Sequence, residues 1–153
     1  MSSKKILYAL NGTGSGHITR ARQLIPYLRK KYDVDILISG KNNIIDSNLN
    51  IKYNFKGFTF IINKNGRVSY LKSLFGNNLF RFIIDLFRLN INQYDLIISD
   101  FEPISAWASK IKGKPSLQLS HQSSLFSKKS PRPKNIDRLA EFFIKWYSPC
   151  DRY

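Results

Sequence analysis

The sequence predicts an α/β doubly wound domain: a Rossmann-like parallel sheet with helices on both faces. Three observations predict it. Short apolar strands alternate with helical stretches, beginning strand–loop–helix–strand. A glycine loop, Gly12-Thr13-Gly14-Ser15-Gly16, joins the first strand to the first helix. The 153 residues are 42% hydrophobic and 23% charged, which suits one ordinary core and excludes a disordered or fibrous chain.

Residues 4–10 (KKILYAL) read as a buried first strand. Residues 17–31 have helical spacing, with Ile18, Ala21, Leu24, Ile25 and Leu28 on one side; Pro26 inside that pattern predicts a bend or a break. Residues 34–39 are a second buried strand ended by Gly40, and the crossover makes the two strands parallel. Residues 51–55 read as a short third strand. Residues 58–63 and 67–70 flank Lys64-Asn65-Gly66, so a β-hairpin insertion is expected near 58–70. Residues 71–90 read as one long helix. Residues 94–100 (YDLIISD) form an apolar strand, followed by a helix over 104–112 opened by Glu102-Pro103. Residues 114–120 are another strand, 123–134 a basic Ser- and Pro-rich loop, and 135–147 a final amphipathic helix. The domain is expected to span 1–147, with 148–153 beginning a linker.

No apolar run approaches the roughly 18–20 residues that cross a bilayer. Lys4 and Lys5 precede only five apolar residues, too few for an export signal. The single cysteine, Cys150, has no internal disulfide partner, which fits a reducing cytoplasm. The charge stands out: 25 Lys and Arg against 10 Asp and Glu give +15. Such a field favours anionic partners, whether nucleic acid, nucleotide phosphate or an acidic membrane surface. Nucleic acid is disfavoured, because the basic residues are spread along the chain and no RNA-recognition, KH or helix-turn-helix signature is present.

In doubly wound sheets, ligands bind beyond the C-terminal strand ends. That rule selects residues 11–17, Gly40, residues 100–102 and His121-Gln122. The glycines of the first loop leave backbone N–H groups bare at a helix start, where an anion or a close ligand fits; a tight turn without a ligand is the alternative. A P-loop needs Lys and Ser/Thr after its last glycine, where this chain has His17 and Ile18. The dinucleotide fingerprint needs a glycine at His17 and an acid after the second strand, where Ser39, Gly40 and Lys41 stand. His17 at a helix start is a candidate base, and Asp100 at the same sheet edge is a candidate to orient it. Their alternatives are a plain helix-start residue and a helix N-cap. Asp33-Val34-Asp35 enters its strand at the opposite edge and reads as a polar strand start. No His-x-His or His-x-x-x-His spacing supports a metal.

The constellation resembles the N-terminal domain of GT-B glycosyltransferases. The loop from Asn11 to His17 is similar to the Gly-Gly-Thr-Gly-Gly-His loop of the MurG-type N-acetylglucosaminyltransferases. Ser120-His121-Gln122-Ser123 resembles a looser form of their His-Glu-Gln-Asn segment, without its Glu. Ser99-Asp100-Phe101 resembles the strand end of the UDP-glycosyltransferases, whose Asp pairs with the loop His. The resemblance implies His17 and Asp100 as a catalytic dyad, with Gly12, Thr13, Gly14, Ser15, Gly16, Glu102, His121, Gln122 and Ser123 as substrate-binding residues. It implies an inverting transfer from a nucleotide-sugar, UDP-sugar foremost, to a sugar, lipid-linked or small-molecule acceptor, with no metal and no redox cofactor. Enzymes of this kind carry a second, donor-binding domain, so this chain is expected to be the acceptor half and inactive alone. The 71–90 stretch, with Phe75, Phe80 and Phe87 among Lys72, Arg81 and Arg88, suits either the core or an anionic membrane interface, the core being the preferred reading. A basic nucleic-acid-binding or peripheral membrane module without catalysis is the rival reading.

Overall fold

The computed structural model describes residues 3–40, 49–61, 69, 72–73, 76–127, 129–131 and 138–153. Five strands form one parallel sheet: β1 (Lys5–Asn11), β2 (Asp33–Ser39), β3 (Ile51–Phe55), β4 (Leu96–Asp100) and β5 (Ser116–Gln118). Their spatial order is β3-β2-β1-β4-β5. The chain therefore winds one way from β1 to β3 and the other way from β4 onward. In doubly wound sheets ligands bind at such a reversal, which here lies between the C-terminal ends of β1 and β4.

Alternation divides the strand side chains between two cores. Ile6, Tyr8 and Leu10 face α1 (Ser15–Arg29) and meet its Ile18, Ala21 and Ile25. Leu7, Ala9, Leu37 and Ile97 face the other side, against Leu86 of α2 (Leu79–Arg88) and Ile104 and Ala108 of α3 (Pro103–Lys112). A third cluster of Phe58, Phe101 and Tyr147 caps the C-terminal edge, Tyr147 being the last residue of α4 (Arg138–Tyr147). Each buried Leu, Ile or Phe among them contributes about 1.5–3 kcal/mol relative to exposure.

Several elements differ from expectation. Helix α1 runs through Pro26 without a break. The long 71–90 helix is divided: α2 starts only at Leu79, where the Asn78 side chain accepts the Arg81 N–H. Asn77 just before it pairs with the backbone of Thr59 in both directions, at 2.9 Å each. Two asparagines after Gly76 thus end one segment and cap the next. Residues 58–61 join no strand ladder, although Ser69 N–H donates to the Ile61 carbonyl; the turn at 64–66 lies outside the described residues. His121–Phe126 is a 3-10 helix capped by Ser120 rather than loop. Residues 148–153 lie along β5: Gln118 N–H donates to Arg152 O, Arg152 N–H to Ser116 O, and Asp151 accepts from the Ser116 amide and hydroxyl. The preferred core reading of 71–90 holds for Leu86, Leu89 and the half-buried Phe82. Phe80 is 74% and Phe87 69% exposed, and Phe75 lies outside the described residues.

At the opposite, N-terminal edge of the sheet, Asp33 and Asp35 are held in ion pairs. Lys52 reaches the Asp35 carboxylate at 2.6 Å, Tyr94 OH donates to it at 2.7 Å, and Lys5 bridges Asp33 and Asp35. Burial alone would raise the Asp35 carboxyl; the Lys52 and Tyr94 hydrogen bonds and the lysine charges outweigh it and hold it below its usual value. A lowered acid contributes stability that is present above its unfolded value, about 3.9, and is lost as pH falls below it. The urea midpoint of Asp35→Asn is therefore expected to lie below wild type at pH 7. The gap should close below about pH 4, and a gap independent of pH would mean that packing rather than charge is lost.

Candidate active site

The crevice at the switch point is built from three elements. Asp100 ends β4 on the same face as Tyr8 of β1, as strand alternation requires. His17 and Arg20 are three apart on α1 and so project from one side of that helix. The four meet. His17 Nδ1 lies 2.7 Å from Asp100 Oδ1, and Arg20 Nη1 donates to the same oxygen at 2.6 Å. Tyr8 OH donates to Asp100 Oδ2 at 3.4 Å, and Arg20 also donates to the Leu119 carbonyl at 3.1 Å. Asp100 is fully buried, whereas the His17 side chain is 19% exposed. Burial, with the Asp100 charge adding to it, pushes the Tyr8 hydroxyl well above its usual value, so it stays protonated and donates. In the neutral tautomer that gives Nδ1–H to the carboxylate, Nε2 is the ring atom that keeps a lone pair.

Asn11 shapes the glycine loop. Its Oδ1 accepts the Thr13 N–H at 2.9 Å, and its Nδ2 donates to Tyr147 OH at 3.0 Å and to Phe101 O at 3.3 Å. The loop's own chemistry is in its vacant volume. Neither Gly14 nor Gly16 has a positive φ, and a Cβ added to either would meet nothing within 4 Å. Backbone conformation and packing therefore do not demand glycine at these two positions. The surface they leave bare suits close approach of a ligand to the amides that open α1.

Asp100 is followed by Phe101 at φ 53°, a left-handed conformation that a bulky side chain rarely adopts. This twist turns the next carboxylate the other way. Glu102 is fully buried and caps α3: Oε1 accepts from Ser39 Oγ at 2.6 Å and from Ile104 N–H at 2.9 Å, and Oε2 accepts from Ser105 N–H at 2.7 Å. Burial raises its carboxyl, against the opposing pull of the Ser39 and Ser105 hydrogen bonds. Gly57 seals that side, because a Cβ there would lie 2.7 Å from Ser39 Oγ. The N-cap role weighed for Asp100 thus belongs to Glu102, and Asp100 is free for His17.

His121, Gln122 and Ser123 open the 3-10 helix after β5. His121 is exposed, Gln122 Oε1 is buried without a partner, and Ser123 Oγ donates to Ser120 O. The described contacts do not join these three to the His17–Asp100 pair; Arg20, through Leu119, ties the two segments together. Cys150 is pushed up to about 12 by burial, so its thiol stays protonated at neutral pH. Among the described residues, no three His, Cys, Asp or Glu side chains come together as metal ligands.

Sequence reasoning missed Tyr8 and Arg20. Strand alternation puts Tyr8 on the Asp100 face, and three-residue spacing puts Arg20 beside His17; both signals were present. Among the described residues, no helix is long and apolar enough to cross a membrane. No curated protein and no solved structure gives a match to this chain. A family model for glycosyl transferase family 1 matches residues 4–149, so the chain belongs to glycosyltransferase family 1, and its sheet is a Rossmann-like domain of the GT-B type.

Proposed function

We propose that the chain is the acceptor-side half of an inverting glycosyltransferase, with His17 as general base and Asp100 as its orienting carboxylate. The observation that carries this is the 2.7 Å bond between His17 Nδ1 and fully buried Asp100 at the sheet's switch point. Nε2 takes the proton of an acceptor hydroxyl. The hydroxyl oxygen then bonds to the anomeric carbon of a nucleotide-sugar from the face opposite the leaving group. The bond from that carbon to the diphosphate oxygen breaks, and the nucleoside diphosphate leaves with the electron pair. Asp100 stabilises the imidazolium that forms. The bare surface at Gly14 and Gly16 supports close approach of a substrate to the α1 amides. A second Rossmann-like domain, in the same or another chain, supplies the main donor contacts, and UDP-sugars are the first donors to try.

The test has two arms. With the donor-binding half supplied, labelled sugar should pass from a UDP-sugar to an acceptor, and the 153-residue chain alone should turn none over. Acceptor glycans should also shift the amide resonances of residues 12–17 in the chain alone. Silence in both arms, with oligonucleotide binding that weakens by several units of log K per log salt, would replace this reading by the nucleic-acid one.

One observation favours an enzyme that docks peripherally on an anionic membrane. Leu79, Phe80, Ile83 and Phe87 of α2 form one exposed apolar arc beside Arg88. On α4, Leu139, Phe142 and Trp146 are exposed beside Arg138 and Lys145. Both helices reach Phe58, through Phe82 at 6.4 Å and Trp146 at 6.5 Å. Each basic residue near an anionic surface adds about 1 kcal/mol. Sedimentation with vesicles containing anionic lipid is expected, with neutral vesicles left unbound. Phe80→Glu with Phe87→Glu should weaken binding by about tenfold or more, at about 0.8 kcal/mol per buried CH₂ lost. Equal indifference to both vesicle types would leave a transferase domain whose acceptor need not be a lipid.

A further inference from the structure

Two donors share one oxygen of Asp100. His17 Nδ1 and Arg20 Nη1 lie 2.7 and 2.6 Å from Oδ1, and the carboxylate has no exposure to water. One buried negative charge has one positive charge to balance it. The guanidinium is permanently charged, so it fills that role at every working pH. A proton added to His17 would then leave the cluster with a net positive charge around a carboxylate closed to solvent. Without Arg20, the buried carboxylate would instead draw a proton to the imidazole. The resting state would be an ion pair whose Nε2–H can no longer act as a base.

We propose that Arg20 is a positioning residue that keeps His17 neutral, by balancing the buried charge of Asp100. Its second bond, to the Leu119 carbonyl at 3.1 Å, ties the guanidinium to the end of β5 and helps to hold it on Asp100. The other ionisable groups around the pair do not duplicate it. Tyr8 from β1 donates to the second oxygen as a neutral hydroxyl. Glu102, beyond Phe101, is turned to Ser39 and the α3 amides. His121 on the 3-10 helix is exposed. The catalytic meaning of the proposal rests on His17 being the base, but its electrostatic content does not.

The chain has only two histidines, so their ring Cε1–H resonances can be titrated by NMR in the whole chain, with His17→Gln identifying each. In Arg20→Met, the His17 midpoint should rise by about one pH unit or more, the usual effect of removing a charge 4–6 Å away. The His121 midpoint should stay put. Arg20→Lys should return the His17 midpoint most of the way to wild type. If Arg20→Met does not fold, Arg20→Gln, which keeps an N–H donor for Leu119, carries the same test. An unmoved His17 midpoint in a folded variant overturns the proposal, as does an equal rise at both histidines. In the assembled transferase, the acid limb of the pH–rate profile should move up with the NMR midpoint. A moved midpoint with an unmoved limb upholds Arg20 and counts against His17 as the base, which separates the two claims.

Discussion

His17→Ala is expected to lower glycosyl transfer by about 10²- to 10⁴-fold, the usual worth of a positioned general base. An acceptor hydroxyl is a poor nucleophile until its proton leaves, and among the described residues at the switch point only the His17 ring offers a neutral lone pair. Tyr8 is a protonated donor held by burial, Arg20 is a cation, and Asp100 is fully buried behind the imidazole. The substitution should spare the fold. Asp100 keeps Arg20 on Oδ1 and Tyr8 on Oδ2, so no charge is stranded. The loss should therefore appear in kcat, with the melting temperature nearly unchanged. The measurement is the transfer rate of the chain combined with its donor-binding half, paired with thermal unfolding of each variant. A rate within tenfold of wild type in a folded His17→Ala would move the base elsewhere, with His121 the next ring to try.

Much of the scaffold was legible because its signals are local. The apolar runs KILYALN and DVDILIS are buried on both faces, as parallel strands covered by helices must be, and they read as strands from composition alone. The glycine loop and the strand end at Asp100 were legible from the rule that ligands gather at one sheet edge. The division of residues 71–90 was not, because apolar spacing continues across Gly76-Asn77-Asn78. What ends the first segment there is the pairing of Asn77 with Thr59, a contact across 18 residues that no local period announces. The roles of Asp100 and Glu102 were equally hidden. Two carboxylates flank one aromatic, and either fits an N-cap before Pro103. The left-handed turn at Phe101 decides which one faces α1 and which one faces α3. It is held from outside, by Asn11 donating to the Phe101 carbonyl and by Tyr147 stacking on its ring at 4.6 Å. Tyr147 OH also accepts from Asn11 Nδ2, so the last helix reaches back to the start of the glycine loop.

Asp100→Asn is the sharper probe, because it can preserve the geometry while removing the charge. The amide oxygen can accept from both His17 Nδ1 and Arg20 Nη1, in place of Oδ1. The amide nitrogen then faces Tyr8, whose hydroxyl rotates to accept. The tautomer of His17 is kept, so any loss reports electrostatics rather than orientation. Turnover is expected to fall by about 10²- to 10⁴-fold, because the imidazolium formed in the transition state loses its counter-charge while Arg20 stands beside it unbalanced. Stability should fall too, by roughly 1–3 kcal/mol, since Arg20 is partly buried and left with a neutral partner. The double variant Asp100→Asn with Arg20→Met separates the two effects. It removes the stranded cation, so unfolding stability should recover by more than the sum of the single changes predicts, while turnover stays low. Recovery of both together would mean that Asp100 serves the fold alone. An Asp100→Asn enzyme within tenfold of wild type would mean that the pair is an ion-pair staple between α1 and β4 and not a dyad.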